Sequence, residues 1–320
     1  MRPNTHVMPY VQTNDSRFGE PVSIFYQDWG GAAQAGTTST NSASFAGASL
    51  SSSQPTVVLI HGWPLSHEMW DYQMTALAEQ GLRVVAYDRR GFGKSSKPWD
   101  GYDYDTFADD LKAVIDELNL DNVVLVGFSM GGGEVARYFS KHGGKNVSKA
   151  VLIGAITPFL LKTDDNPDGV DKSTFDTMVE KLRDDRADFL QTFGKQFYGV
   201  GMLSHPVSQA HLDGDFFRAY LASPKATVEC VRAFSETDFR DEMRSINVPT
   251  LIIHGDSDKT VPIEASGEKS AELLPTATYK VYDGAPHGLF ITDKEKLTQD
   301  LLSFVLESAY QPRKSGEVTY

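Results

Sequence analysis

The stretch LVGFSMGGG, residues 125–133, sets one serine among four glycines where a strand pattern meets a helix pattern. The residues NVVLVGF (122–128) form a short apolar run typical of a buried strand, and MGGGEVARYFSKH (130–142) has the character of a helix. Glycine costs about 1 kcal/mol relative to alanine inside a regular element, so this many glycines require a physical reason.

The segment Gly127-Phe128-Ser129-Met130-Gly131 fits the pattern G-x-S-x-G between a strand and a helix. In such a turn the serine has a strained backbone and its Oγ projects above the sheet, while small neighbours let other backbone pass close by. The helix N-terminus adds free N–H groups near a developing oxyanion. The pattern predicts Ser129 as a catalytic nucleophile; the alternative is a glycine-rich turn with an idle serine.

A serine hydroxyl needs a histidine base and an orienting acid, which follow the serine in the chain order serine, acid, histidine. His287 lies in DGAPHGLF, directly after the strand-like run TYKVYDG (278–284), and so at the carboxyl edge of the sheet. We therefore predict His287 as the base. The other downstream histidines fit less well. His142 lies near the end of the helix that begins at the serine, and His254 lies inside a strand. The remaining two lie in a helical segment: His205 and His211.

The acid and the oxyanion donors are expected in two further loops. TLIIHGDSDKTVP (250–262) ends a strand and offers Asp256 and Asp258, between which spacing does not choose. The unused aspartate is expected to hold its loop by accepting backbone N–H groups. The N–H of Met130 is one oxyanion donor, and the loop HGWPLSHEMW (61–70) supplies Trp63 N–H as the second. The alternative is that His61-Gly62 is only a tight turn and Trp63 a core side chain.

Strand-like runs alternate with helical patterns along most of the chain, which predicts an α/β fold with a mostly parallel sheet covered by helices on both faces. The runs VMPYV (7–11) and SIFYQDW (23–29) are expected to form an antiparallel hairpin at the sheet edge. We predict a core of residues 1–156 and 241–310, a helical cap of residues 157–240, a flexible Ser/Ala/Gly-rich insertion at 30–55 and a tail at 311–320.

The composition restricts the classes of function. The 320 residues carry a formal net charge of −13, without the basic footprint that a nucleic-acid binder needs. No apolar run approaches the length of a membrane span, and the N-terminus lacks the apolar segment of a signal peptide. Cys230 is the single cysteine, so we expect a cytoplasmic protein without internal disulfides. No metal site or cofactor is expected, and the oligomeric state, including a homo-oligomer, stays open.

Beyond these motifs, the chain resembles the α/β-hydrolases, and within them the cofactor-free (non-haem) haloperoxidases, which are perhydrolases and arylesterases. The resemblance covers nearly the whole chain except residues 30–55 and the tail. The segments that carry it include HGWPLSHEMWD (61–71), YDRRGFGKSSKPWDGYDYDTFADDL (87–111), GFSMGGGEVARY (127–138), PTLIIHGDSDKTVPIEAS (249–266) and GAPHGLF (284–290).

The resemblance implies a role for individual residues. It makes Ser129 the nucleophile, His287 the base and Asp258, in the D-x-x-V-P context, the acid. Trp63 and Met130 match the oxyanion donors, and Pro64 matches the position that favours reaction with hydrogen peroxide in this family. Three further residues match positions that line the acyl pocket: Phe128, Phe159 and Val261.

The implied activity is hydrolysis of small carboxylic esters through an acyl-enzyme, with peracid formation when hydrogen peroxide replaces water. The expected partners are a small-molecule ester or carboxylic acid and, as a further candidate, hydrogen peroxide; no nucleic acid or membrane is expected. Two alternatives stay open: a hydrolase of a specific natural ester or lactone with incidental peroxide activity, and a non-catalytic ligand receptor with the same fold.

Overall fold

The computed structural model describes residues 9–13, 21–30 and 54–307. Residues 31–53 of the predicted insertion and the predicted tail lie outside these ranges. The strands are β1 Tyr10–Thr13, β2 Val22–Trp29, β3 Thr56–Ile60, β4 Arg83–Tyr87, β5 Val123–Phe128, β6 Val147–Ile153, β7 Thr250–Gly255 and β8 Thr278–Tyr282. The helices are α1 Asp71–Glu79, α2 Tyr104–Glu117, α3 Met130–His142, α4 Lys172–Asp184, α5 Arg186–Phe197, α6 Gln209–Leu221, α7 Pro224–Glu236, α8 Arg240–Met243, α9 Gly267–Leu273, α10 Leu289–Thr292 and α11 Lys294–Leu306.

The described strands form one sheet in the order β1-β2-β4-β3-β5-β6-β7-β8. Strands β3 to β8 pair in parallel, whereas β1 with β2 and β2 with β4 are antiparallel. The predicted edge hairpin is therefore confirmed, although its first strand lies at 10–13 and not at 7–11, of which residues 7 and 8 are not described. The sheet confirms the predicted α/β class.

Successive residues of the central strands alternate between two hydrophobic cores, one on each face of the sheet. On β3, Val58 and Ile60 belong to the core shared with α2 and α3, while Val57 and Leu59 belong to the core shared with α1 and α11. All four side chains are fully buried. Because strand side chains alternate with period two, a strand covered on both faces must be apolar at every position. This explains the continuous apolar runs in the sequence.

The segment predicted as a cap holds helices α4 to α7, between β6 and β7 in the chain. Its described residues include no strand, only two isolated bridges, Leu161–Val170 and Thr163–Asn166. Its aromatic side chains reach the core loop at Trp63, whose indole Nε1 donates to the Thr227 carbonyl of α7 at 3.1 Å. The Trp63 ring also contacts Phe193 of α5. These contacts place the four helices against the loop after β3. None of the described helices has the length and apolar character needed to cross a bilayer.

Close backbone packing explains the glycines around Ser129. A Cβ on Gly131 would lie 2.7 Å from the Ile60 carbonyl oxygen, and a Cβ on Gly127 would lie 2.5 Å from the Gly131 carbonyl oxygen. Real Cβ atoms do not approach backbone this closely. The absence of side chains at these positions lets β3, β5 and the start of α3 meet at the serine.

We expect Gly131→Ala to lower the free energy of unfolding by about 1–3 kcal/mol, because the new methyl group overpacks rigid backbone. Gly194→Ala is the matched control: Gly194 lies within α5 with no atom near its virtual Cβ, and alanine there should stabilise by up to about 1 kcal/mol. Urea unfolding followed by circular dichroism measures both. Equal effects of the two substitutions would contradict the packing argument.

Candidate active site

Ser129 lies at the sharp turn between β5 and α3, at the carboxyl edge of the sheet. Its backbone has φ 53° and ψ −119°, a conformation that residues with a side chain rarely adopt and that costs on the order of 1–3 kcal/mol. Three backbone hydrogen bonds hold it: its N–H donates to the Ile153 carbonyl at 2.9 Å, and its carbonyl accepts from Gly132 N–H at 3.0 Å and from Ile156 N–H at 3.3 Å. The side chain is only 5% exposed.

His287 joins Ser129 to Asp258 through two hydrogen bonds. Its Nε2 lies 2.9 Å from Ser129 Oγ, and its Nδ1 lies 2.6 Å from Asp258 Oδ2. Because an ionised carboxylate only accepts, Nδ1 carries the proton and Nε2 is free to accept the serine hydroxyl proton. The three predicted residues thus come from loops after β5, β7 and β8 to one point. Their arrangement can activate a hydroxyl group as a nucleophile.

The environment of Asp258 favours its charged form. Burial by itself would raise the pKa of this carboxyl group, but the charge of His287 and hydrogen bonds from His254 and His287 outweigh burial and hold the pKa well below its usual value. Its other oxygen, Oδ1, accepts the N–H groups of Thr260 and Val261 at 2.9 and 2.8 Å. The stability that this charge contributes is present above the unfolded pKa of about 3.9 and is lost as pH falls through the folded pKa.

Asp256, the other aspartate of this loop, has a different surrounding. It is exposed, and its Oδ1 accepts the N–H of Gly284 at 2.7 Å. This bond ties the β7 loop to the loop that leads into His287, as expected for the aspartate that does not contact the histidine. His254, predicted to be a core histidine, is buried and its Nε2 lies 2.9 Å from the Val261 carbonyl.

Two phenylalanines enclose the His287 ring. The ring centroids of Phe128 and Phe197 each lie 4.8 Å from that of His287. Phe197 is the last residue of α5, and its carbonyl accepts the N–H of Gly288 at 2.8 Å. The cap segment therefore positions the histidine loop directly. Sequence reasoning missed Phe197, because helical spacing marks it as apolar without indicating which loop it contacts.

The loop after β3 packs against Ser129. A Cβ on Gly62 would lie 3.1 Å from Ser129 Cβ, so the Gly62–Trp63 peptide borders the nucleophile. Met130 begins α3, and its N–H has no partner in a preceding helical turn. No described residue accepts a hydrogen bond from the Trp63 N–H. Both predicted donors thus lie beside Ser129, and neither backbone N–H has a hydrogen-bond acceptor among the described residues.

A buried histidine fixes this loop. His61 Nδ1 lies 2.9 Å from the Gly62 carbonyl, and His61 Nε2 accepts the Arg89 N–H at 2.9 Å. Burial and then the nearby Arg89 charge hold the pKa of His61 well below its usual value, so the ring stays neutral with its proton on Nδ1. In a trans peptide the N–H points opposite to the carbonyl. Holding the Gly62 carbonyl therefore also orients the Trp63 N–H.

The ion pair between Arg89 and Glu134 holds the carbonyl of His61. Arg89 Nη2 donates to this carbonyl at 2.7 Å, and its guanidinium contacts the carboxylate of Glu134 on α3. Both side chains are fully buried, and Tyr87 donates its hydroxyl to the same carboxylate. The pair connects the loop after β3 to the helix that begins at the nucleophile.

A cavity of about 520 Å³ opens at Ser129. Its wall includes Trp63 and Val261 of the predicted site residues, together with aromatic side chains of the cap segment and three charged residues. Four phenylalanines, two lysines and one aspartate are part of this wall: Phe175, Phe189, Phe193, Phe234, Lys181, Lys259 and Asp188. The phenylalanines were not predicted, since helical spacing marks them as apolar without indicating that they line a cavity at Ser129.

Three predicted pocket residues lie elsewhere. Pro64 borders a second, smaller pocket of about 30 Å³ between the loop and helices α5 and α6. Phe128 is fully buried beneath His287, and Phe159 is buried with the Arg240 guanidinium 5.2 Å from its ring centroid. Neither phenylalanine is among the residues that line the large cavity.

One group of potential metal ligands occurs in the described part of the chain, His67, Glu68 and Asp88. Its atoms are already used in hydrogen bonds: Asp88 Oδ1 accepts the His67 N–H and ring Nδ1–H at 2.8 Å, and Asp88 Oδ2 accepts the Lys94 N–H at 2.8 Å. We assign this group to holding the loops after β3 and β4.

A family model described as the alpha/beta hydrolase fold matches residues 55–294. The non-heme chloroperoxidase CPO-A1 of Kitasatospora aureofaciens is 40% identical over 300 residues, 93% of this chain and 99% of that relative. The bifunctional esterase/perhydrolase DCH of Acinetobacter calcoaceticus is 40% identical over 93% of this chain and 99% of its own length. A bromoperoxidase structure from Bacillus anthracis has 43% identity and a TM-score of 0.82, with 93% of this chain and 99% of that one covered.

The geometry predicts that Ser129 reacts with diisopropyl fluorophosphate. Its Oγ attacks phosphorus and fluoride leaves, so mass spectrometry should find a diisopropylphosphoryl group on Ser129 alone. We expect Asp258→Asn to slow the reaction by about 10⁴-fold, because the histidine loses the tautomer that accepts the serine proton. Asp256→Asn is the matched control and should react nearly as fast as the unchanged protein, since Asp256 contacts only backbone and Ser257. A similar loss in both variants would contradict the assignment of the acid.

Proposed function

The chain belongs to the α/β-hydrolase family, and on that premise we propose that it is a serine hydrolase of small carboxylic esters that also forms peracids when hydrogen peroxide replaces water. The observation that carries this proposal is the hydrogen-bonded series Ser129, His287 and Asp258 at the wall of the 520 Å³ cavity. The names of relatives at 40% identity, chloroperoxidases and an esterase/perhydrolase, support the same reaction class.

Acylation begins with attack of Ser129 Oγ on the ester carbonyl carbon. His287 Nε2 takes the hydroxyl proton, and the ionised Asp258 steadies the resulting imidazolium. His287 then gives the proton to the departing alcohol, which leaves an acyl group on Ser129. The depressed pKa of Asp258 suits this step, because the carboxylate keeps its charge as the histidine gains one.

The backbone N–H groups of Trp63 and Met130 bind the oxyanion of the tetrahedral intermediate in this mechanism. Losing one such donor typically costs about 3–4 kcal/mol of transition-state stabilisation. The His61 and Arg89 hydrogen bonds support the assignment, since they hold the Gly62–Trp63 peptide before substrate arrives. A donor that is fixed in advance needs no reorganisation during the reaction.

Deacylation has two outcomes in the proposal. When His287 removes a proton from water, the acyl group leaves as a carboxylic acid. When it removes a proton from hydrogen peroxide, the hydroperoxide oxygen attacks the acyl carbon, Ser129 regains its proton and a peracid leaves. The peracid can oxidise halide in solution, so this proposed route to halide oxidation contains no step on a metal or haem.

Pro64 is proposed to orient the peroxide. It lacks an N–H, and its fixed φ aims its carbonyl as an acceptor for a peroxide O–H. The small pocket beside Pro64 supports this role, because about 30 Å³ has room for a molecule of the size of water or peroxide. Phe193 lines both this pocket and the large cavity, and so lies between the peroxide position and the acyl position.

The domain arrangement and location belong to the same proposal. Residues 157–240 act as a cap that shapes the ester cavity, since α4, α5 and α7 contribute most of its aromatic wall. A cytoplasmic location is consistent with a single, buried cysteine.

The Ser129→Ala variant tests the nucleophile. We expect p-nitrophenyl acetate hydrolysis, and peracid-dependent bromination of an indicator in acetate buffer with hydrogen peroxide, both to fall by about 10⁶-fold or to background. The protein is first treated with a chelator. Bromination that persists in the variant would mean that the peroxide reaction does not use an acyl-enzyme, and ester cleavage alone in the unchanged protein would limit it to an esterase.

Pro64→Leu tests the peroxide step. Leucine adds an N–H and frees φ, so the ratio of peracid formation to ester hydrolysis should fall by roughly five- to tenfold, the value of one oriented hydrogen bond. Pro206→Leu, at an exposed loop position in the cap segment, is the control and should leave the ratio unchanged. An equal ratio in Pro64→Leu and in the unchanged protein would contradict the role proposed for Pro64.

A further inference from the structure

The large cavity has an apolar wall that extends well beyond Ser129. Four phenylalanines and Trp63 line it, and its volume of about 520 Å³ lies in the range of pockets that enclose whole small-molecule ligands. An acetyl group would fill only a small part of this volume. The cavity therefore suits an ester with a substantial apolar body.

Three charged side chains also line this cavity: Lys181 near the end of α4, Asp188 in the first turn of α5, and Lys259 in the loop that carries Asp258. All three are exposed, which places them where the cavity meets solvent. Neither lysine forms an ion pair with a described residue, and the Asp188 carboxylate has no described cationic partner. The charged lining thus carries a net charge of +1.

The positive charge at this mouth contrasts with the rest of the molecule. The chain has a formal net charge of −13, and carboxylates are abundant on its surface. Many described lysines form an ion pair with one of these carboxylates. Examples are Lys112 with Asp116, Lys141 with Asp109 and Lys280 with Asp300. Two unpaired lysines at the opening of an apolar cavity leave a charge that a ligand can neutralise.

We propose that the ester taken by this site carries a carboxylate at the far end of its apolar body, as in a half-ester of a dicarboxylic acid, and that Lys181 and Lys259 bind that carboxylate. The inference rests on the proposed function, because it places the ester carbonyl at Ser129. A lining with a net charge of +1 neutralises a monoanion. A dianionic phosphate would keep one negative charge, which the Asp188 carboxylate would repel. Exposure limits the gain, since water and salt screen both lysines.

Three ethyl esters of equal chain length test the proposal: monoethyl adipate (anionic), ethyl hexanoate (neutral) and ethyl 6-aminohexanoate (cationic). They present the same ethyl ester and differ at the far end. We expect kcat/KM in the order anionic, neutral, cationic. The ratio of anionic to neutral kcat/KM should fall roughly threefold in Lys181→Gln and in Lys259→Gln, and roughly tenfold in the double variant. It should rise in Asp188→Asn and fall in 0.5 M sodium chloride.

Lys145→Gln is the matched control, because Lys145 is exposed between α3 and β6, forms no described ion pair and lines neither pocket. Its ratio should equal that of the unchanged protein. An unchanged ratio in the double variant, or the same fall in Lys145→Gln, overturns the inference. Equal kcat/KM for the anionic, neutral and cationic esters also overturns it. If Ser129→Ala keeps activity toward ethyl hexanoate, the proposed function fails separately.

Discussion

The backbone of Ser129 is the constraint on which the rest of the site depends. A serine held at φ 53° is stable only if its surroundings over-determine it. Here the hydrogen bonds of Ser129 to Ile153 and Gly132 and the close contact of Gly131 with Ile60 supply that support. The sheet and α3 therefore do more than present a hydroxyl group. They place Ser129 and the first N–H of α3 in neighbouring positions. In the proposed mechanism the hydroxyl group reacts there and the N–H binds the developing charge.

A second dependence is electrostatic. Burial alone would raise the pKa of the Asp258 carboxyl group, yet the charge of His287 and hydrogen bonds from His254 and His287 keep it ionised. Its Oδ1 also accepts two backbone N–H groups. The Arg89–Glu134 pair on the other side of Ser129 is also buried and also hydrogen-bonded throughout. Buried charges are tolerated only when they are paired in this way. Both groups form hydrogen bonds with loops beside Ser129. The interactions that offset the cost of burying these charges therefore also fix those loops.

The cap segment takes part in the site and does not only cover it. Phe197 lies against the His287 ring and its carbonyl binds the next residue of that loop, while Phe193 contacts the Trp63 ring between the two pockets. A change in the packing of α5 would therefore move His287 and the Trp63 loop together. In the proposed mechanism, this coupling makes the shape of the cavity and the position of His287 depend on the same helix.

The sequence by itself determined the parallel sheet and the position of the serine turn, because strand burial and the glycine–serine pattern are local properties of the chain. It also found His287 and narrowed the acid to two aspartates, since both follow strands that end at one edge. Spacing left Asp256 and Asp258 open, and the family resemblance chose Asp258. The structure brings Asp258 to the histidine, while Asp256 of the same loop accepts the Gly284 N–H. Only it placed Phe193 and Lys181 at the cavity, and Phe128 and Phe197 against the His287 ring. Helical periodicity marks which face of a helix is apolar, but the partner of that face depends on long-range packing that no local pattern encodes.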